Sequence, residues 1–85
     1  METKVWTFNL SDGQHTVELD HGYWSGKRII KVDGQLVEES QKLFDTGSEH
    51  RFDVNGNSCV LRIRPGTLGG LTGFEFELFV DGRLV

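Results

Sequence analysis

Cysteine, proline and long apolar runs are scarce in this 85-residue sequence, and each scarcity excludes a class of protein. The single cysteine, Cys59, excludes an intramolecular disulfide, so the fold must be held by packing, as is usual in a reducing compartment. No apolar run approaches the roughly 18 residues that span a bilayer, and Met1–Lys4 leads into no apolar stretch typical of a secretory signal. These features predict a cytoplasmic protein without membrane insertion.

Positive charge is also limited, because 9 Lys and Arg stand against 13 Asp and Glu, for a net charge of −4. The basic residues are scattered along the chain rather than clustered, which argues against a nucleic-acid partner. A chain of this length buries enough surface for one compact core, and this excludes a multi-domain enzyme. We therefore expect residues 1–85 to form a single domain.

Apolar side chains recur at every second position, which is the period of a β-strand with one buried face. The first clear example runs from Val5 to Leu10. The residues expected to point inward are Trp6, Phe8, Leu10, Val17, Leu19, Ile30, Val32, Cys59, Leu61, Ile63, Phe74, Phe76, Leu78 and Val80. The pattern predicts an all-β fold with about eight short strands, arranged as a small antiparallel β-sandwich or, alternatively, as a small barrel.

Turn sequences separate these strands. Asp33-Gly34 is a favoured two-residue hairpin turn, so the residues from Gln35 should pair back on the preceding strand. Within the polar run Glu38–Lys42, a helical turn is an alternative to a strand. The segment Val32–Val37 recurs 48 residues later as Val80–Val85, which indicates either two related β-units or simply a common hairpin sequence. Because only three residues follow the second turn, we expect the domain to belong to a longer chain.

The outward-facing charges predict one strand register. If the strands Ser58–Arg64 and Thr72–Val80 pair so that residue numbers sum to 139, every outward pair is favourable. That register places Arg62 opposite Glu77, Arg64 opposite Glu75, Val60 opposite Phe79 and, on the inner face, Leu61 opposite Leu78. Val60 and Phe79 are then framework residues or, alternatively, the centre of a partner-binding patch.

The sequence offers little for catalysis. It contains no phosphate-binding glycine loop, zinc-ligand spacing or nucleophile elbow, so we expect no catalytic residues, no metal site, no cofactor and no enzymatic activity. Cys59 is expected to be a small core residue, and His15 and His50 are expected near strand ends with satisfied ring nitrogens. The aspartates Asp12, Asp20, Asp33 and Asp45 are expected to lie at or next to turns and to stabilise them.

The most distinctive stretch is the loop that begins at His21-Gly22 and ends at Gly26. Two aromatic residues stand between glycines and are followed by two cations. Aromatic side chains supply much contact area at little entropic cost, and arginine binds carboxylates. We therefore predict a partner-binding site formed by His21, Tyr23, Trp24, Ser25, Lys27 and Arg28. The alternative is that the aromatics cap one end of the sandwich while Lys27 and Arg28 are solvated.

A set of short motifs resembles the amino-terminal domain of the Fas apoptotic inhibitory molecule family. The residues that carry the resemblance are Val5-Trp6, Leu10-Ser11-Asp12-Gly13, His15, Glu18, His21-Gly22, Ser25-Gly26-Lys27-Arg28 and Val32-Asp33-Gly34, with a looser likeness through Phe44, Phe52 and the final Val-Asp-Gly. Tyr23 and Trp24 are bulkier than the small residues expected there.

The resemblance implies an all-β sandwich and a non-enzymatic, soluble protein that regulates apoptosis and death-receptor signalling through protein contacts. It also implies that this chain is one domain of a two-domain architecture, because members typically carry a second, similar β-domain. An alternative function is a small β-sandwich that binds a carbohydrate or another small ligand through Tyr23 and Trp24.

Overall fold

The computed structural model describes residues 1–85, of which residue 69 is described by its backbone alone. The chain forms two compact units, Met1–Leu43 and Phe44–Val85, and each unit contains one four-stranded antiparallel sheet. The all-β class and the expected eight strands are therefore confirmed. In the part of the chain that the structure describes, no helix has the length and apolar character that crossing a membrane requires.

The first sheet is a meander in which each strand pairs with the next one in sequence. Its strands are β1 (Glu2–Leu10), β2 (Gly13–His21), β3 (Lys27–Val32) and β4 (Gln35–Gln41). Trp6, Val17, Leu19 and Ile30 are buried, as their alternation along the strands predicts. One face of this sheet therefore supplies the core of the first unit.

The β3–β4 hairpin turns at Asp33-Gly34, where both residues have positive φ, 50° and 82°, as a type I′ turn requires. The predicted turn is confirmed, but β4 continues to Gln41, so the polar run after Val37 is strand and not a helical turn. Extended pairing was difficult to foresee because β4 is an edge strand with few buried residues. The register shifts once, opposite Ile30 and Lys31, where Val37 is the extra residue of a β-bulge.

The second sheet is also a meander. Its strands are β5 (Ser48–Val54), β6 (Asn57–Pro65), β7 (Phe74–Val80) and β8 (Arg83–Leu84). Between β6 and β7, where the sequence predicted only a loop, one helical turn, α1 (Thr67–Gly70), is present. The buried apolar residues of the second sheet are Val54, Cys59, Leu61, Ile63, Leu78 and Val80. The predicted inner face of β6 is confirmed in full.

The predicted register of β6 and β7 is confirmed at each predicted pair. The observed partners are Arg62 and Glu77, Arg64 and Glu75, Val60 and Phe79, and Leu61 and Leu78. Arg64 contacts both glutamates, with Nη2 at 3.1 Å from Oε2 of Glu75 and Nε at 3.0 Å from Oε1 of Glu77. The guanidinium of Arg62 lies 5.1 Å from the ring centroid of Phe79, so this ring is partly covered by a cation–π contact.

The two Val-Asp-Gly segments form the same hydrogen-bonded turn. Asp33 donates its N–H to the carbonyl of Thr16 at 2.8 Å, and its Oδ1 accepts the N–H of Thr16 at 2.8 Å. Asp81 repeats both bonds with Ser58, at 2.7 and 3.1 Å, and has nearly the same φ, 49°. The recurrence in sequence therefore corresponds to equivalent turns between the third and fourth strands of each sheet.

Candidate functional site

The predicted site lies at the end of the first sheet where β2 is connected to β3. His21 is the last residue of β2, Lys27 is the first residue of β3, and residues 22–26 form the loop. His21 and Arg28 lie directly opposite each other across the two strands. The structure thus brings the six predicted residues together on one short hairpin.

Tyr23, Trp24 and Ser25 form the exposed end of this loop, which we call the aromatic tip. The side chain of Trp24 is 90% exposed and that of Tyr23 is 38% exposed. Their rings meet edge to face, with centroids 4.8 Å apart and planes at 77°. This geometry leaves the indole of Trp24 open to solvent while Tyr23 supports one side of it.

Backbone hydrogen bonds hold the loop in one conformation. Gly22 donates its N–H to the carbonyl of Lys27 at 2.9 Å, and Gly26 donates to the carbonyl of Gly22 at 2.9 Å. Lys42, just after β4, donates to the carbonyl of Gly26 at 3.0 Å. Gly26 has a φ of 70°, and a Cβ at this position would collide with the carbonyl of Lys42, so only glycine fits there.

Side chains add two further hydrogen bonds around Ser25. Its Oγ accepts the backbone N–H of Lys27 at 3.2 Å, and its carbonyl accepts a bond from Nε2 of Gln41 at 2.9 Å. The aromatic tip is therefore tied both to β3 and to the end of β4. Such a loop presents Trp24 in a preformed position, which lowers the entropic cost of contact with another molecule.

His21 and Arg28 lie beneath the aromatic tip and form what we call the buried base. Each is only 1% exposed, and Nη1 of Arg28 donates to the carbonyl of Gly26 at 2.6 Å. The sequence predicts His21 in the loop and Arg28 at the surface, and both predictions are wrong. Period-two alternation gives the reason, because Arg28 shares a face with buried Ile30 and His21 shares a face with buried Leu19.

Lys27, by contrast, is half-buried at the start of β3. The six residues thus divide by exposure into an aromatic tip that meets solvent, a partly covered Lys27 and a buried base. The direct bond from Arg28 to Gly26 shows that the base supports the loop from below. Whether these residues bind a partner stays a prediction.

The remaining histidines and the cysteine occupy the environments that the sequence predicted. Both ring nitrogens of His15 have carboxylate partners, and Nε2 of His50 lies 2.8 Å from Oγ of Ser48. Cys59 is fully buried and free, and burial raises the pKa of its thiol. A thiol in this state is a poor nucleophile, which fits the expected core role.

The chain matches the family model of the Fas apoptotic inhibitory molecule (FAIM1) over residues 2–85. It is 33% identical over 79 residues to Fas apoptotic inhibitory molecule 1 of Bos taurus, covering 93% of this chain and 39% of that protein. The corresponding proteins of Mus musculus and Homo sapiens are 33% and 32% identical over 79 residues, again 93% of this chain and 44% of each relative. The chain therefore spans about two fifths of the length of these relatives.

Proposed function

The chain belongs to the Fas apoptotic inhibitory molecule family, and from this membership we propose that it is a non-enzymatic protein-interaction domain that regulates death-receptor apoptosis. Its relatives are named as inhibitors of Fas-triggered apoptosis, which supports the apoptotic part of the proposal. In this proposal the domain acts through a protein partner. We propose that it acts in the cytoplasm, a compartment in which a thiol such as that of Cys59 stays free.

The exposure of Trp24 on a hydrogen-bonded loop carries the proposal. Exposure alone does not distinguish Trp24, because Phe44 is 89% exposed, but Trp24 also packs edge to face on Tyr23 and lies on a loop fixed by hydrogen bonds. Tryptophan and tyrosine are also the residues most enriched among those that dominate protein interfaces. Because the loop is already fixed, little conformational freedom is lost when a partner covers the aromatic tip.

The buried base also supports a binding role for the loop, because burying a charged side chain carries an energetic penalty. Burying an arginine is unfavourable unless its donors find acceptors, and a fully buried arginine is therefore rare at positions that only need filling. Arg28 instead donates to Gly26 inside the loop that carries Trp24. We assign contact with the partner to Tyr23, Trp24, Ser25 and Lys27, and support of the loop to His21 and Arg28.

A cell-survival assay tests both parts of the proposal. Mammalian cells whose own family member has been deleted would express this chain, Trp24→Ala or Phe44→Ala, and would then be triggered through Fas. Phe44 is a matched control because its side chain is 89% exposed and lies outside the loop. We expect the unmodified chain and Phe44→Ala to raise survival and Trp24→Ala to lose the effect.

The two parts fail separately in this assay. Cell death at the same rate with and without the unmodified chain would contradict the apoptotic role. Equal protection by Trp24→Ala and the unmodified chain, at equal protein levels, would remove the aromatic tip from the account.

The same exposed indole also fits a carbohydrate-binding function, because an open aromatic face provides a flat apolar platform. A glycan array distinguishes the two functions. Binding that requires Trp24, with no protein partner and no effect on survival, would favour this second candidate.

A further inference from the structure

His15 joins two turns that are distant in the sequence. Its Nδ1 lies 2.7 Å from Oδ2 of Asp33 in the β3–β4 turn, and its Nε2 lies 2.8 Å from Oδ1 of Asp12 in the β1–β2 turn. A neutral imidazole has one N–H and one lone pair, so it donates only one of these two bonds, whereas the imidazolium donates both. We propose that these three residues form a proton-operated turn clamp, in which charged His15 ties the two turns together and loss of the Nδ1 proton leaves the ring bonded to Asp12 alone and releases the β3–β4 turn.

Asp33 is the residue through which the turn clamp acts on the backbone. Its Oδ2 faces His15, and its Oδ1 accepts the backbone N–H of Thr16 at 2.8 Å. The residue also has a φ of 50°, a conformation that costs energy for a side chain other than glycine. The bonds to His15 and Thr16 offset that cost, so weakening one of them favours opening of the turn.

The charged groups that contact the ring of His15 are the carboxylates of Asp12 and Asp33, and both favour its protonated form. Asp12 faces it from the β1–β2 turn and Asp33 from the β3–β4 turn, while β1 contributes the uncharged ring of Phe8 at 6.3 Å. With charged His15 the three groups sum to 1 − 2 = −1, and without its proton they sum to −2. Deprotonation therefore also leaves a lone pair facing a carboxylate across less than 3 Å.

The direction of the pKa changes sets the pH window. The hydrogen bond to Asp33, and to a smaller extent the one to Asp12, raise the pKa of His15 above its ordinary value. The clamp is therefore complete below that ordinary value and is lost as pH rises through the raised pKa. At acid pH the relevant group is Asp33. Its hydrogen bond with His15, and to a smaller extent the one from the N–H of Thr16, lower its pKa. The clamp is therefore lost only as pH falls through that lowered pKa.

The second sheet supplies an internal control. Asp81 makes the same backbone bonds to Ser58 that Asp33 makes to Thr16. The residue before Ser58, however, is Asn57, where the first sheet has His15 before Thr16. The two turns therefore share one hydrogen-bond pattern, and the first turn alone has a titratable residue at this position.

Amide hydrogen exchange followed by NMR tests the turn clamp. Protection factors for the N–H groups of Thr16 and Ser58 would be measured from acid to alkaline pH, beside the ring nitrogen shifts of His15. We expect Thr16 to lose protection by a factor of about two to five across the titration of His15, as for an exposed ion pair, while Ser58 does not change. In His15→Asn the change at Thr16 should vanish, and in Asp12→Asn its midpoint should move to lower pH.

Three results would overturn the proposal. One is a neutral His15 ring at a pH below its ordinary pKa. Another is protection of Thr16 that varies with pH no more than that of Ser58, and a third is the same variation in His15→Asn as in the unmodified chain. The ring shifts are read in the unmodified protein, so the test does not depend on any variant folding. The clamp lies at the opposite end of β2 from the aromatic tip, and its failure would leave the proposed function untouched.

Discussion

The two sheets follow the same four-strand plan, and at one inner-face pair their side chains differ sharply. In the first sheet Leu19 faces Ile30, and two residues further along the strands His21 faces Arg28. In the second sheet Leu61 faces Leu78, and the pair two residues further along is Ile63 with Phe76. The second sheet therefore shows that an apolar pair satisfies this position.

The position of the polar pair explains what it adds. His21 and Arg28 lie directly below the aromatic tip, and Arg28 bonds to the loop itself. In the second sheet the equivalent connection, residues 66–73, contains α1 and four glycines in all, and its two leucines, Leu68 and Leu71, are exposed. The shared turns and apolar pairs therefore maintain the fold, whereas the buried base is an addition that supports the loop.

The largest expected effect tests the shared part of the plan. Leu19→Ala and Leu61→Ala each remove a fully buried side chain from matching positions, so each should lower the free energy of unfolding by about 2–5 kcal/mol. Urea denaturation followed by circular dichroism measures both. A loss below about 1 kcal/mol in either variant would show that the two positions are not equivalent.

A medium effect tests the polar pair. Arg28→Met keeps an apolar stem but removes the donor to Gly26, so we expect a loss of about 1–3 kcal/mol in the free energy of unfolding, together with faster amide exchange at residues 23–25. Phe76→Leu is the matched control in the second sheet and should cost less than about 1.5 kcal/mol. Unchanged exchange in the loop of Arg28→Met would contradict a supporting role for the buried base.

The smallest effect concerns the outer face of the second sheet. A double-mutant cycle with Arg64→Ala and Glu75→Ala should give a coupling energy of about 0.2–1 kcal/mol, because both side chains are at least half exposed and their attraction is screened by water. The coupling should fall further in about 1 M salt. A coupling energy that does not change with salt would mean that the pair is not acting through its charges.

Much of the fold was predictable from the sequence because its signals are local. Asp33-Gly34 sets its own turn, and alternation along β6 assigns Cys59, Leu61 and Ile63 to one face. The register of β6 and β7 was also predictable, since one register places opposite charges across from each other and apolar residues across from each other. Each of these features depends on neighbouring residues in one hairpin.

The candidate site was predictable in place but not in layout. Charged side chains are rarely buried, so composition offers no reason to place Arg28 inside, although strict alternation with Ile30 indicates it. The turn clamp was harder still to foresee. Asp12 and Asp33 each look like ordinary turn residues, and they meet at His15 only because two separate hairpins turn at the same end of the sheet.

Site-specific photocrosslinking shows whether the aromatic tip is the surface that meets a protein partner. A benzophenone amino acid would be placed at position 24 or, as the control, at the equally exposed position 44, and the cells would be irradiated. We predict a discrete crosslinked protein from position 24 that is absent from position 44 and is lost when Arg28→Met is added. No adduct at position 24, or the same adducts from both positions, would contradict the account.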